Sequence, residues 1–212
     1  MNKIAIGFLT IVIALFSTLN VNAQNLNSTN GGYAKTKKIN GKKFRVMYYE
    51  YVVNKTPDEV WAEVSGKFTE IGKIAKSVDE SHCESGDITK GLGASRFCSI
   101  NFAGKTVEIS EKIIEFTEGV KRKEYTYDVY KSKGFPAKVY NTWVVRVGDD
   151  GKTYLGNAFI FRGKPAMMTG MIAHKMKKLK AVRNTVLNYK HYLETGEKKA
   201  DPAKFDSLYP EM

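Results

Sequence analysis

The sequence is poor in the side chains on which most enzymes rely. Its three histidines, His82, His174 and His191, are scattered, and none stands in a His-x-x-x-His pair or beside a Cys-x-x-Cys pattern. In an extended chain His82 and Cys83 point to opposite faces, so they cannot chelate together. There is no Gly-x-Ser-x-Gly elbow and no phosphate loop; the run Gly148-Asp-Asp-Gly-Lys152 resembles the latter only superficially and reads as a hairpin turn. These absences count against metal, hydrolase and nucleotide chemistry, and no cofactor is expected. The two cysteines, Cys83 and Cys98, are too few for a disulfide scaffold. Whether they bridge is a matter of register: one pairing sets them face to face, and a slip of one residue leaves two separate thiols on opposite faces.

Long apolar runs are absent apart from residues 4–16, which follow Lys3 and are broken only by Gly7 and Thr10. That run is too short to span a bilayer. A more polar stretch and then Val21-Asn22-Ala23 complete the pattern of a secretory signal peptide over 1–23, cleaved after Ala23. The chain is therefore expected to be exported, to a periplasm or to the exterior. A net charge of +12 favours anionic partners such as nucleic acid, acidic glycans or membrane surfaces; export counts most against nucleic acid, and weak contact with an anionic membrane surface is expected. The 12 tyrosines and 11 phenylalanines exceed what a minimal single-domain core requires, which leaves rings to line a cavity. A monomer or weak dimer is expected.

Residues 24–42, rich in Asn, Gly and then Lys, read as a flexible lead-in. A strand follows over 43–53. Thr56-Pro57-Asp58-Glu59 is then a helix start, with Thr56 and Glu59 forming a capping box around a proline at the first helical position. Gly66 stops this helix, and Phe68, Ile71 and Ile74 suggest a second short one. Strands are expected near 78–85, 94–102, 105–116, 121–131, 137–147 and 152–162, separated by turns rich in Gly and Asp. A long helix over 165–194 closes the domain of residues 43–196, and 197–212 form a tail. A meander of strands with one long amphipathic helix is an α+β arrangement that buries the sheet's concave face against the helix, and the space between them is a natural cavity.

This order of elements, together with the segments Asn-Lys-Thr-Pro-Asp-Glu-Val-Trp (54–61), Gly-Leu-Gly-Ala-Ser-Arg (91–96), Glu-Lys-Ile-Ile-Glu-Phe (111–116), Tyr-Thr-Tyr-Asp-Val (125–129) and Thr-Trp-Val-Val (142–145), resembles the START-related helix-grip superfamily. Polyketide cyclase/dehydrase-like proteins, birch-pollen-allergen-like proteins and abscisic-acid receptors belong to it. The resemblance covers about residues 43–195. It implies a curved seven-stranded antiparallel sheet wrapped around a long C-terminal helix, two short helices after the first strand, and a pocket for a lipid-like or aromatic molecule. It implies no fixed catalytic residue.

Strand parity places Glu111 with Val107, Ile109 and Ile113 on one face, hence in the cavity unless a bulge turns it to solvent. The resemblance adds that a Glu at this place in the Glu-Lys-Ile-Ile run faces the pocket in abscisic-acid-receptor-like members. Tyr125 and Tyr127 share the parity of Val129, Asn141 that of Trp143 and Val145, and Asn157 lies between Leu155 and Phe159; each is a pocket candidate or a core residue with a satisfied polar tip. Arg96 shares a face with Cys98, Ile100 and Phe102, with the hairpin's register left open. On the long helix, Met168, Ile172, Leu179, Val182, Val186, Tyr189 and Leu193 form one stripe with Lys175 at its centre, while Lys177, Lys180 and His191 fall on the outer face. Lys175 and Glu111 are thus expected to meet in the cavity, paired or sharing a polar ligand head. The leading expectation is an exported binding protein for a hydrophobic or amphiphilic small molecule. A polyketide cyclase/dehydratase-like enzyme using the same cavity and a basic surface-adhering module are the alternatives.

Overall fold

The computed structural model describes residues 31–210; the expected signal peptide over 1–23 lies outside them. Eight strands run through the described residues: β1 (Gly31–Ile39), β2 (Lys42–Val53), β3 (Val78–Cys83), β4 (Ser95–Phe102), β5 (Lys105–Glu118), β6 (Arg122–Lys133), β7 (Ala137–Val147) and β8 (Thr153–Gly163). They form a single antiparallel sheet in the order β1-β2-β8-β7-β6-β5-β4-β3. Helix α1 (Pro57–Gly66) and a 3-10 segment (Phe68–Lys73) follow β2, and α2 (Met168–Lys178), α3 (Ala181–Thr195) and the short α4 (Phe205–Leu208) close the chain. This is the α+β helix-grip architecture, with the strands of the meander close to their expected bounds. The capping box forms as read: the Thr56 hydroxyl accepts from the Glu59 amide at 3.3 Å, and the Glu59 carboxylate accepts from the Thr56 amide at 2.8 Å.

Three features differ from the sequence reading. The sheet has eight strands rather than seven, because residues 31–39 of the expected lead-in pair with β2 through a two-residue turn at Asn40 (φ 48°) and Gly41 (φ 72°). Asn-Gly at left-handed φ matches the twist of a hairpin, and the lysines beside it suit an edge strand rather than a disordered arm. The long C-terminal helix is two helices, parted at Lys180, whose φ of 50° is left-handed. Lys180 and Arg183 both meet Asp206, at 2.6 and 3.0 Å, so the break is held by the segment beyond α3. That segment is not a loose tail. Phe205 is fully buried, and His191, expected on the outer face, is covered by it, with Nδ1 2.9 Å from the Tyr209 hydroxyl and Nε2 2.9 Å from Glu197.

Helix α3 lies across β2 and β8, where Trp143 of β7 meets Tyr189 edge to face at 4.8 Å. Helix α1 and the 3-10 segment plug one end of the concave face with Trp61, Val64, Phe68 and Ile71. The remaining end of the grip, between β4–β8 and the junction of α2 with α3, stays unfilled. Cys83 stands opposite Arg96 and Cys98 opposite Ser81, so the two cysteines are offset along their strands, and both thiols are free.

Candidate functional site

The unfilled space is a cavity of about 330 Å³. Its walls are mostly apolar: Ile100, Phe102, Val107 and Val139 from the sheet, Phe135 and Phe159, and Met176, Leu179 and Val182 from the helices. Across its floor runs a polar band built from one residue on each of five consecutive strands, Arg96 on β4, Glu111 on β5, Tyr127 on β6, Asn141 on β7 and Asn157 on β8. Arg96 stands directly opposite Glu111, and Tyr127 opposite Asn141, so the band follows from the sheet's register. A bulge does occur in β5 against β6, between Ser110 and Glu111, but pairing with β4 keeps Glu111 turned inward and buried.

Arg96 is the organising side chain and is 2 % exposed. Its Nε donates to Glu111 Oε2 at 2.5 Å and its Nη1 to the carbonyl of Phe68. The guanidinium lies over the rings of Phe68 and Tyr127, 4.2 and 5.1 Å from their centroids, where it gains cation–π attraction while desolvated. Burial pushes the Glu111 carboxyl above the usual carboxylate range, and the Arg96 guanidinium pulls against it. Cys98, whose thiol reaches Glu111 at 3.8 Å, is pushed up to about 12 by burial and is no thiolate nucleophile. Burial likewise raises the Tyr127 phenol well above its ordinary value. At the other end of the band, Asn157 Nδ2 donates to Asn141 Oδ1 at 2.5 Å. From above, α3 contributes Asn188, which is 2 % exposed; its Nδ2 donates to the Asn184 carbonyl at 2.9 Å, and its Oδ1 has no hydrogen-bond partner.

Of the residues singled out by sequence, Glu111, Tyr127, Asn141 and Asn157 line the cavity together. Tyr125 does not: its hydroxyl donates to the Val64 carbonyl of α1 at 3.1 Å, and its ring packs among Trp61, Phe68 and Phe116 in the plugged end. Lys175 does not meet Glu111 either. It is exposed, with its ammonium 5.5 Å from the Phe102 ring at the cavity's edge. The break at Lys180 puts Lys175 on a separate helix, so the stripe that centred it does not run through as one rotation; its long stem also carries the charge to water. The partner of Glu111 is Arg96, which parity had already put on the face of Cys98 and Ile100. Asn188 was missed because a lone Asn beside an apolar stripe carries no distinguishing pattern; its spacing of four from Asn184 is the only local signal. Among the described residues no group of three or more His, Cys, Asp or Glu could hold a metal.

By sequence the chain matches no protein-family model and no curated protein. By structure it is similar to Ara h 8.0201 (TM-score 0.53, 16 % identity, covering 71 % of this chain and 97 % of that one). It is also similar to the major latex-like protein 151 of Panax ginseng (TM-score 0.52, 12 % identity, covering 70 % and 97 %). A hypothetical protein, jhp0584, from Helicobacter pylori superposes at a TM-score of 0.50 with 18 % identity, covering 68 % of this chain and 85 % of that one. The fold is therefore the START-like helix-grip fold expected from the sequence.

Proposed function

We propose that the protein is an exported carrier that holds one hydrophobic or amphiphilic small molecule between the sheet and the C-terminal helices without transforming it. The observation that carries this reading is the cavity of about 330 Å³, apolar over most of its wall and polar along one band. That size falls in the range of small-molecule sites, roughly 300–1,000 Å³. The α2 segment adds support. Met167 and Met171 are 87 % and 63 % exposed, and the exposed Lys175, Lys177 and Lys178 follow in the same segment, helix α2 carrying no acid. Such a face suits contact with an anionic membrane surface, where an amphiphile would be taken up or released. Catalysis of the cyclase/dehydratase kind would ask for a carboxyl free to move a proton; Glu111 is instead clamped by Arg96, which favours binding.

The test is titration with N-phenyl-1-naphthylamine, a neutral apolar dye, against the wild type and a filled variant, Ile100→Trp with Val139→Phe. Saturable one-to-one fluorescence enhancement in the wild type, lost in the filled variant, is expected. Equal enhancement in both, or none in the wild type, overturns the reading. Intact mass of exported protein checks the N-terminus, which is expected at Gln24.

A further inference from the structure

We propose that the convex face of the sheet carries a second binding site, a basic groove that takes one acidic sugar unit of an anionic polysaccharide. The groove lies between the tip of the β1–β2 hairpin and the ends of β7 and β8, and its volume is about 380 Å³. Among the described residues its walls carry four cations, Lys42, Lys138, Arg162 and Lys164, and no acid. It is separate from the cavity under the helices: Phe44 and Tyr140 of the groove belong to a small apolar cluster of their own, while Val139 and Phe161, their neighbours of opposite parity in β7 and β8, belong to the main core. The proposal therefore stands apart from the carrier reading.

Charge is concentrated here by the pairing of strands. No Asp or Glu occurs between Gly31 and Tyr49 or between Gly151 and Leu193, and the ladder of β2 with β8 sets these two stretches side by side. Lys138 stands directly opposite Arg162 across β7 and β8, and like charges so placed repel unless an anion intervenes. Asp128 answers Lys138. Among the described residues Lys42, Arg162 and Lys164 meet no carboxylate; Arg162 reaches only the Lys43 carbonyl, at 3.4 Å. Three cations without an acid around one groove focus a positive potential on it and call for an anionic ligand.

The floor selects a sugar among anions. Tyr140 is half-buried, with its ring 5.8 Å from the buried Phe44 ring and the Lys138 ammonium 5.0 Å from its own centroid. Long cationic side chains lay their methylenes along such a floor and keep their charges at the rim. A phosphate ion has no apolar surface to set against it. The C–H face of a pyranose ring has one, and a carboxylate or sulfate on that ring then reaches the rim cations, where Arg162 offers a fork of N–H donors. A bilayer surface fits less well, because it takes up exposed large apolar side chains and none lines this groove, in contrast to Met167 and Met171 of the α2 segment. At about 30 Å³ per water-sized group the groove takes roughly a dozen such groups, the bulk of one uronic acid unit.

The test is calorimetric titration with hexagalacturonate, at about 50 mM salt so that exposed charges are only partly screened. Saturable binding by the wild type is expected. Reversing two exposed rim cations, Lys42→Glu with Lys164→Glu, should weaken it by about tenfold or more, while the same charge change on α2, Lys177→Glu with Lys178→Glu, should leave it within about twofold. Tyr140→Leu should weaken hexagalacturonate by about threefold and leave the binding of inorganic polyphosphate unchanged. The lysine variants lie at exposed positions and decide the matter should Tyr140→Leu fail to fold. No saturable binding by the wild type, an equal loss from the α2 reversal, or an equal loss of polyphosphate binding in folded Tyr140→Leu would each overturn the proposal. So would binding to phosphatidylglycerol vesicles that the rim reversal abolishes while hexagalacturonate binding survives it, since the groove would then be a membrane contact.

Discussion

Replacing Arg96 by Met probes the floor of the cavity most sharply. The change removes the Nε bond to Glu111 at 2.5 Å, the donor to the Phe68 carbonyl and the cation stacked between Phe68 and Tyr127, while keeping an apolar stem of similar reach. Glu111 is left as an uncompensated buried carboxyl. Breaking a buried pair from one side costs about 3–5 kcal/mol, and for a domain of this size that lowers Tm by about 10 °C. The cost depends on pH. Burial already holds the Glu111 pKa above its ordinary value, and Arg96 is the influence that lowers it, so the variant's folded pKa lies higher still. A carboxyl whose folded pKa is raised contributes stability below its unfolded pKa and loses that contribution as pH rises through the folded value. The deficit of Arg96→Met is therefore expected to be larger at about pH 7.5 than at about pH 5, because ionising the stranded carboxyl costs more the higher the pH. Urea unfolding of both proteins at the two pH values measures it. In the double variant Arg96→Met with Glu111→Leu no charge is stranded, and it should be more stable than Arg96→Met alone. A deficit below about 1 kcal/mol, or one equal at both pH values, would refute the buried-pair argument.

Thr56→Ala should cost about 1 kcal/mol by removing the cap of α1, read from the urea midpoint; an unchanged midpoint would mean the box does no work in the folded protein. Phe205→Ala, at a fully buried position in the segment after α3, should cost about 3–5 kcal/mol by unfolding measurements, a loss that a disordered tail would not show. Gly156→Ala would bring a methyl to 2.3 Å from the Tyr48 hydroxyl, which donates to buried Glu50 at 2.8 Å, and should cost about 1–3 kcal/mol; tolerance of this change would show that Tyr48 is not held there.

Most of the sheet was legible because its signals are local: period-two alternation, turn residues and a capping box each act within a few residues. Glu111 could be turned inward by parity alone, since its neighbours Val107, Ile109 and Ile113 mark the apolar face. What escaped depends on contacts between distant parts of the chain. The break at Lys180 involves no Gly or Pro and is secured by Asp206, more than twenty residues on. The covering of His191 likewise needs Tyr209. Arg96 as partner of Glu111 required the β4–β5 register, which parity on a single strand cannot supply. The hairpin of β1 is a different case: Asn40-Gly41 is a strong local turn signal, outweighed in the reading by the lysines that flank it.

Native mass spectrometry of the protein, purified without denaturant from the cells that make it, tests the claim that the helices and sheet enclose a ligand site. A fraction of the wild type is expected to carry one small molecule of roughly ten non-hydrogen atoms or somewhat more, released on denaturation and missing from the filled variant Ile100→Trp with Val139→Phe. A bare chain mass in the wild type, together with no uptake of added decanol, or the same adduct on the filled variant, would contradict it.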